Sequence, residues 1–247
     1  MYNEIIERHL RNYLCNIQPE ELKNACLYAT SSGKRLRPNF LIYSYLTFKN
    51  KNKLNDKILN YAAAIEMIHA YSLIHDDLPA MDNDDFRRGK PTVHKKFGEA
   101  IAILAGDTLL NSAFEIMLKT PNINAMKVIA KAAGGRGMIA GQTADILGKK
   151  DFHYINSKKT AALFYASFYA GAILANEVKK GKELGKAGFL FGLYYQLKDD
   201  AEDFEIKINI EPEILLKKCM YEINKIKKSN KSDELYEYIR KITKYKP

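Results

Sequence analysis

The stretch from Ile65 to Gly89 reads IEMIHAYSLIHDDLPAMDNDDFRRG, and it combines a helical pattern with a concentrated charge cluster. Upstream and within it, apolar or small residues recur at positions 58, 62, 65, 68 and 72, which is the spacing of one helix face. Pro79 interrupts regular helical bonding, and five aspartates fall within ten residues directly before two arginines. We therefore predict an apolar helix that presents a group of carboxylates at its carboxyl end.

Helical spacing extends along nearly the whole chain of 247 residues, and no alternating strand pattern flanked by hairpin turns is found. Proline and glycine positions support several helix ends, and no internal repeat or low-complexity linker interrupts the pattern. We predict an all-α protein with one domain over residues 1–247. The predicted helices cover residues 3–17, 19–31, 35–49, 55–77, 97–119, 123–140, 154–177, 183–205, 211–229 and 232–244.

Composition is typical of a soluble globular protein, with 47% hydrophobic and 28% charged residues. The longest candidate for a membrane span, Ala161 to Asn176, is too short and contains Ser and Gly. The amino-terminal residues carry charge throughout and lack an apolar signal core. We expect a cytoplasmic protein without stable membrane insertion. The three widely spaced cysteines show neither a disulfide framework nor a zinc pattern.

The net charge is +10, and much of it lies in the carboxyl-terminal region, where Lys217 to Pro247 contains ten Lys/Arg against four Asp/Glu. A basic balance favours acidic partners such as nucleic acid, an anionic membrane or phosphorylated small molecules. The basic tail does not interleave aromatic and basic residues in a known nucleic-acid reading motif, so we expect no nucleic-acid partner. A solvated helix face is the simpler interpretation of the tail.

The first carboxylate cluster follows helical geometry. Glu66, His69 and Asp76 share one face, and Asp77 flanks Asp76. Beyond Pro79 the chain can fold back and bring Asp82 toward Asp76. We expect Asp84 and Asp85 to support Arg87 and Arg88, and His75 to have a structural role.

A second cluster lies in a separate helical segment, Gln196 to Asp203. Gln196, Asp199, Asp200 and Asp203 fall on one stripe. Closely packed carboxylates remain ionised when a cation is present, and an oxygen-only ligand set is typical of Mg²⁺, which often joins carboxylates to substrate phosphates. A solvated acidic surface is the alternative for either cluster alone, but two such clusters favour a metal site.

Basic residues accompany these carboxylates in three places: Gly33 to Pro38 (GKRLRP), the Arg87-Arg88 pair, and Lys158-Lys159-Thr160. Arginine forms bidentate hydrogen bonds with phosphate, and lysine supplies a compact charge. Each group alone is typical of surface charge, but together with the aspartates they predict a diphosphate site. The glycines from Gly134 to Gly141 lack the strand and the Gly-Lys-Ser/Thr ending of a phosphate loop, so we interpret them as helix-packing residues.

These segments resemble the all-trans isoprenyl diphosphate synthases, most closely the bacterial farnesyl diphosphate synthase branch. The resemblance covers about residues 30–205 and rests on GKRLRP, the segment from Ile65 to Leu110, GQTAD at 141–145, KTAAL at 159–163 and YYQLKDDAED at 194–203. It implies an isoprenoid-synthase-like bundle of about ten helices around a central cavity. It also implies a homodimer that joins isopentenyl diphosphate head to tail to an allylic diphosphate, dimethylallyl or geranyl diphosphate.

The resemblance implies a role for individual residues. Three Mg²⁺ ions on the allylic diphosphate would be held by Asp76, Asp77, Asp82, Asp199 and Asp203. The same diphosphate would contact Arg87, Lys159, Thr160 and Gln196. Isopentenyl diphosphate would be bound by Gly33, Lys34, Arg37, His69 and Arg88. The chain-length pocket would have its floor at Tyr71 and Ser72, and the aromatic Tyr71 predicts farnesyl diphosphate as the product.

The chain departs from the family in three short segments, after Asp145, after Lys179 and after Asp203. The last has no clear counterpart to a family lysine that reaches the allylic diphosphate when the site closes. Either these loops are truly absent, which would give a weak enzyme or an inactive subunit, or mobile segments are missing from the sequence. A terpene cyclase is a further alternative, but Gly33 to Pro38 and Arg87-Arg88 favour a second diphosphate substrate.

Overall fold

The computed structural model describes residues 1–49, 54–203, 211–226 and 233–245, with no side-chain description at 200–203 and 233. Helices dominate these residues, which confirms the predicted all-α class. Contacts divide the chain into two compact units. The first unit comprises Tyr2–Asn39 and Asn55–Pro121, and the second comprises Met1, Phe40–Leu54 and Asn122–Pro247. The single domain over 1–247 and the central cavity stay predictions.

The first unit is built from five helices and a small hairpin among its described residues. Its strands pair antiparallel, with Phe86 opposite Pro91 and Arg87 opposite Lys90. The hairpin was not predicted because two-residue strands are too short to show alternation. Its turn consists of Arg88 and Gly89, both at positive φ, +54° and +73°, as a two-residue hairpin turn requires. The elements are α1 (Asn3–Leu14), α2 (Glu20–Thr30), α4 (Asp56–Asp76), β1 (Phe86–Arg87), β2 (Lys90–Pro91), α5 (Val93–Phe97) and α6 (Glu99–Leu118).

Helix α4 is the core of the first unit and carries the first aspartate motif at its end. The Asn55 side chain caps its start by accepting a hydrogen bond from the Ile58 backbone N–H at 3.3 Å. From Ile58 to Ile68 every side chain is buried, so this helix is enclosed on all its faces rather than along one stripe. The helix ends at Asp76, three residues before Pro79, because proline cannot continue the backbone bonding.

Helix α6 packs extensively against α4. Its length and its mean hydropathy of 1.5 over the most apolar window would allow it to cross a membrane, and 44% of that window is buried inside the protein. The helix also carries Asp107 in its interior and contacts α4 through His75, whose Nε2 lies 3.2 Å from the Ile103 carbonyl oxygen. These features are typical of a core helix, and the His75 contact confirms its predicted structural role.

Helix α3 (Leu36–Leu46) starts at the end of the Tyr2–Asn39 segment and continues into the second unit. In the second unit, the Phe40 ring contacts the rings of Phe164, Phe168, Phe191 and Tyr238 at centroid distances of 4.7 to 5.9 Å. This aromatic cluster forms its core. The other elements are α7 (Ile123–Ala133), α8 (Met138–Ile146), α9 (Phe152–Asn156), a π-helical turn (Ser157–Ala161), α10 (Ala162–Leu174), α11 (Val178–Asp203), α12 (Pro212–Ile226) and α13 (Asp233–Thr243).

The ten predicted helices correspond to ten of the thirteen α-helical segments in the described residues; the additional ones are α5, α8 and α9. The predicted helix 123–140 is wrong at its end. It stops at Ala133 because Gly134 adopts an extended conformation, and α8 starts only at Met138. The predicted helix 154–177 starts inside α9 and joins it to α10, because α9 has only five residues and leads directly into the π-helical turn.

Candidate active site

The first aspartate motif folds back on itself at the end of α4. The Asp82 backbone N–H donates to the Asp76 carbonyl oxygen at 2.9 Å, and the Met81 N–H donates to the Leu78 carbonyl oxygen at 2.9 Å. The predicted return of Asp82 toward Asp76 is therefore confirmed. Asp76 is half-buried and Asp82 is exposed. The backbone thus brings these two aspartates close together at the protein surface.

Asp77 has a different environment from its neighbour. Its side chain is only 4% exposed, and Arg87 Nε donates to its Oδ1 at 2.6 Å, with Arg87 Nη2 also 2.5 Å away. Burial raises the pKa of the Asp77 carboxyl, and the Arg87 guanidinium opposes that change. Asp77 therefore orients Arg87 in this structure.

The other two aspartates of the cluster lie around the hairpin. Asp84 Oδ2 accepts a hydrogen bond from Arg87 Nη2 at 3.3 Å, which confirms its predicted supporting role. Asp85 Oδ1 lies 2.7 Å from Lys95 Nζ, so the structure pairs it with that lysine and not, as predicted, with the arginine pair. The expectation for Asp85 failed because Lys95 lies on α5, which was not predicted as a separate helix.

The GKRLRP segment completes the turn after α2 with Gly33, Lys34 and Arg35, and its last three residues begin α3. Gly33 has φ +140°, which favours glycine, and an added Cβ there would displace the Arg88 guanidinium, whose Nη1 lies 2.5 Å from the Cβ position. Arg88 Nη1 donates to the Ser32 carbonyl oxygen at 2.6 Å. The turn leaves Lys34 exposed and Arg37 half-buried, whereas Arg35 points inward and is 2% exposed.

His69 is half-buried on α4 and lies in a strongly positive environment. Burial lowers the pKa of its imidazole well below the usual value, and the nearby positive charges of Arg37, Arg88, Arg87 and Arg35 lower it further. Four guanidinium groups, two from the GKRLRP segment and two from the hairpin, thus act on one neutral imidazole, and those of Arg35 and Arg87 are paired with Glu66 and Asp77. Such a concentration of donors and positive charge is what a diphosphate requires.

The predicted chain-length residues follow His69 on α4. Tyr71 is 5% exposed, and burial raises the pKa of its hydroxyl to about 12, with a further contribution from Asp76. Its ring meets the His75 ring edge-on at a centroid distance of 5.8 Å. The Ser72 hydroxyl donates to the His69 carbonyl oxygen at 2.9 Å. Tyr71 is consequently a bulky, buried group one helical turn and a half before the first aspartate motif.

In the second unit, Lys159 and Thr160 lie in the π-helical turn, a feature that is frequent at functional sites. Lys159 Nζ lies 2.6 Å from Asp145 Oδ2, and the Thr160 hydroxyl donates to Gln196 Oε1 at 2.6 Å. The sequence predicted Lys159, Thr160 and Gln196 as site residues, and the structure joins the last two directly. Asp145 was not predicted.

Two glycines allow the neighbouring helices to approach the π-helical turn. A Cβ on Gly141 of α8 would lie 2.2 Å from the Lys159 backbone nitrogen, and a Cβ on Gly192 of α11 would lie 2.6 Å from the Ala161 Cα. The interpretation of Gly141 as a helix-packing residue is confirmed. Next to it, both polar atoms of the Gln142 side chain are buried without a hydrogen-bond partner among the described residues. Gln142 and Asp145 are about one helical turn apart in the GQTAD motif. This motif was part of the family resemblance, and it could have identified both residues from the sequence.

The second aspartate motif lies at the carboxyl end of α11. Asp199 and Gln196 are half-buried, three residues apart on the same helix. Asp203 belongs to α11 by its backbone, and its side chain, like that of Asp200, lies outside the described part of the structure. The short segment after Asp203, Phe204 to Asn209, also lies outside the described residues.

The chemistry of the two motifs suits Mg²⁺, because carboxylate oxygens are the ligands that this hard cation prefers. Among the residues with described side chains, no three acidic, histidine or cysteine groups are close enough to hold an ion by themselves. A sparse carboxylate set of this kind fits Mg²⁺, which commonly takes one or two carboxylates and completes its coordination with water and substrate phosphate.

A cleft of about 630 Å³ lies elsewhere in the first unit, between α1 and α6. Its lining includes Tyr13, Asp107, Glu115 and Lys119, and it contains none of the predicted site residues. Two carboxylates in its wall disfavour a diphosphate. The arginine-rich surroundings of His69 are therefore a better candidate than this cleft for the diphosphate site.

Several known proteins are similar to this chain in sequence and in fold. Residues 19–242 match the polyprenyl synthetase family. A farnesyl diphosphate synthase of Geobacillus stearothermophilus is 40% identical over 219 residues, which cover 82% of this chain and 73% of that protein. A geranylgeranyl pyrophosphate synthase of Arabidopsis thaliana is 37% identical over 219 residues, or 81% of this chain and 57% of that protein. The solved apo structure of an FPP/GFPP synthase from Zymomonas mobilis has a TM-score of 0.86 at 32% identity, covering 97% of this chain and 95% of that chain.

The chain has the helical fold of the isoprenoid synthases. The chain belongs to the polyprenyl synthetase family. The resemblance inferred from the sequence motifs is thereby confirmed.

Proposed function

We propose that this protein is a Mg²⁺-dependent prenyltransferase that condenses isopentenyl diphosphate head to tail with dimethylallyl or geranyl diphosphate. The observation that carries the proposal lies in the first unit, where the positive charges of Arg37 and Arg88 act on the neutral His69, close in sequence to the folded-back Asp76 and Asp82. Cations for one diphosphate and carboxylates for metal ions on another are what two diphosphate substrates need. The family membership supports the same reaction.

We assign the metal ions to Asp76 and Asp82 of the first motif and to Asp199 and Asp203 of the second. Asp77 was predicted as a metal ligand as well. Its burial and its contact with Arg87 favour a different role, in which it orients that arginine toward the allylic diphosphate. Three Mg²⁺ ions remain the expected number by family resemblance. When bound, Mg²⁺ supplies positive charge to the oxygens of the leaving diphosphate.

The remaining contacts to the allylic diphosphate are assigned to Arg87, Lys159, Thr160 and Gln196. The isopentenyl diphosphate is assigned to Gly33, Lys34, Arg37, His69 and Arg88. In the reaction, the allylic C–O bond breaks and its electron pair leaves with the diphosphate. The double bond of isopentenyl diphosphate then attacks the allylic carbon, and the released diphosphate takes up the proton that is lost. The cationic side chains contribute by stabilising the charge that develops on the leaving group.

We propose farnesyl diphosphate as the main product, on the basis of the buried ring of Tyr71. A bulky group close to the first aspartate motif limits the length of the chain that can extend past it. The relatives include both farnesyl and geranylgeranyl diphosphate synthases, so the product length depends on such local residues.

We further propose that the protein is a cytoplasmic homodimer. Helix α6 exposes Ile103 and Leu104, which are 45% and 52% accessible, and Leu118 at its end is 57% accessible. The homodimer follows from the family resemblance, and a second copy would cover these apolar side chains, although Asp107, Asn111 and Glu115 are exposed beside them on the same side of the helix. The same association would cover the part of α6 that could otherwise contact a membrane.

The decisive experiment supplies the purified protein with Mg²⁺, labelled isopentenyl diphosphate and either dimethylallyl or geranyl diphosphate, and then resolves the products. We expect condensation that depends on both substrates and on Mg²⁺. Cyclised hydrocarbons formed from an allylic diphosphate alone would indicate the terpene cyclase alternative. Absence of product at every Mg²⁺ concentration would indicate a non-catalytic subunit, for which the short segment after Asp203 is the motivating observation.

A further inference from the structure

Arg35 belongs to the GKRLRP turn, yet it is buried while its neighbours face outward. Its side chain is 1% exposed, and its Nη1 lies 2.6 Å from Oε1 of Glu66, which is 5% exposed. A buried ion pair is rarely more stabilising than apolar residues of the same volume, because both ions lose their hydration. The pair therefore calls for an explanation beyond the stability of the core.

The guanidinium that binds Glu66 also binds the backbone of the turn. Arg35 Nη1 donates to the Ser32 carbonyl oxygen at 3.1 Å, and Nη2 donates to the Thr30 carbonyl oxygen. These two carbonyls lie at the end of α2 and at the start of the turn. Arg88 donates to the Ser32 carbonyl oxygen from the exposed side at 2.6 Å. The turn is thus held by one buried and one exposed arginine.

The backbone at Arg35 shows that this arrangement is imposed by its surroundings. Arg35 has φ +52°, in the left-handed region that residues with a side chain seldom occupy. Such a conformation persists only where neighbouring contacts determine it, and it is concentrated at functional sites. With the Arg35 side chain directed inward to Glu66, Lys34 is exposed and Arg37 remains near His69.

We propose that the buried Arg35–Glu66 ion pair is a positioning device for the isopentenyl diphosphate site. Glu66 fixes the guanidinium, the guanidinium fixes the carbonyls of Thr30 and Ser32, and the turn then presents Lys34 and Arg37 to the diphosphate. Arg35 and Glu66 are positioning residues that do not touch the substrate. The inference rests on the proposed function, since it concerns the second substrate of that reaction.

The test measures the binding of isopentenyl diphosphate alone, by titration calorimetry, to folded variants of the full chain. Glu66→Gln keeps the shape and removes the charge that orients Arg35. Arg35→Lys keeps a charge beside Glu66 but cannot reach both carbonyls. We expect each to weaken isopentenyl diphosphate binding by about tenfold or more, while the KM for geranyl diphosphate changes less than about twofold.

Glu7→Gln is the matched control. Glu7 also pairs with Arg35, at 3.5 Å from Nε, but its side chain is 44% exposed. Removal of this outer carboxylate leaves the contact with Glu66 and the two carbonyl bonds in place. We expect wild-type affinity for isopentenyl diphosphate and a wild-type KM for geranyl diphosphate.

The outcomes separate this inference from the proposed function. Condensation by the wild-type protein tests the function, and the variants then test the positioning role. The role is overturned if a folded Glu66→Gln or Arg35→Lys variant binds isopentenyl diphosphate as tightly as wild type, or if the KM values for both substrates rise together. It is equally overturned if neither variant folds, because the pair would then serve folding alone.

Discussion

Lys159 Nζ lies 2.6 Å from Asp145 Oδ2, which ties the π-helical turn to helix α8 within the second unit. Neither side chain is fully buried, with 29% and 43% exposed, so the lysine stays accessible to an anion while the carboxylate limits its orientation. Lys158, the preceding residue, instead donates to the Arg136 carbonyl oxygen at 3.2 Å. Two consecutive lysines therefore have different partners, and they allow a matched comparison.

Asp145→Asn is expected to raise the KM for geranyl diphosphate about three- to tenfold, because Lys159 loses the carboxylate that orients it. Lys159→Gln should have a larger effect, since it removes the charge itself. Lys158→Gln is the control and should leave both kinetic constants near wild type. The KM is measured by steady-state kinetics at saturating isopentenyl diphosphate. An equal rise in KM in the Lys159→Gln and Lys158→Gln variants would contradict the assignment of Lys159 to the allylic diphosphate.

Replacement of Asp82 by Asn should lower kcat by about 10²-fold or more at saturating Mg²⁺, because a ligand of the metal on the leaving diphosphate is lost. Asp85→Asn is the control, since Asp85 pairs with Lys95 and is not expected to bind metal. The measurement is the condensation rate as a function of Mg²⁺ concentration. Similar rates in the two variants would rule out Asp82 as a ligand.

The pH dependence of stability should report on His69. Its pKa in the folded protein is lowered by burial and by Arg37, Arg88, Arg87 and Arg35, so the unfolded chain binds a proton more readily than the folded chain. The stabilisation is present above the unfolded pKa of about 6.5 and is lost as the pH falls below it, by up to about 1.4 kcal/mol per pH unit for one proton.

His69→Gln should therefore flatten the decline in unfolding free energy between about pH 6.5 and pH 5, as measured by urea denaturation. The same variant should also weaken binding of isopentenyl diphosphate. His153→Gln provides a control on an exposed histidine at α9 and should retain the wild-type decline. A His69→Gln curve that parallels wild type over this range would show that His69 does not titrate as described.

Tyr71→Ala should shift the products from C15 toward C20, because it removes a buried ring that limits the elongating chain. Tyr71→Phe keeps the ring and removes only the buried hydroxyl, and it should keep the C15 product. Chromatography of the dephosphorylated products gives the distribution. Unchanged chain length in Tyr71→Ala would remove the role assigned to this residue.

Leu104→Lys should convert the proposed dimer to a monomer, because a charge in place of this exposed apolar side chain of α6 would be buried in the interface. Light scattering after size exclusion should then give a mass near 28.2 kDa, whereas wild type should give about twice that value. Lys119→Glu, at an exposed position next to the same helix, controls for a general effect of charge. A wild-type mass near 28.2 kDa would refute the homodimer.

Local patterns were sufficient for much of the fold. Helical periodicity predicted α4 as residues 55–77, and the structure has Asp56–Asp76, because a long apolar helix with a cap and a following proline is specified by neighbouring residues. The hydrogen bond between the Asp82 and Asp76 backbones was also predictable, since the two residues are only six positions apart. Short elements such as α5 and the hairpin were missed because few residues carry their signal.

The sequence by itself therefore determined the all-α class, the family and the identity of the residues that carry charge. Only the tertiary structure decided their partners. Helical spacing placed Glu66 on one face with His69 and Asp76, whereas the folded chain pairs it with Arg35, 31 residues away. Likewise Asp77 pairs with Arg87 and Asp145 with Lys159. The physical reason is that the partner of a charged group depends on how distant segments pack, and for Glu66 and Asp77 burial makes such a partner necessary.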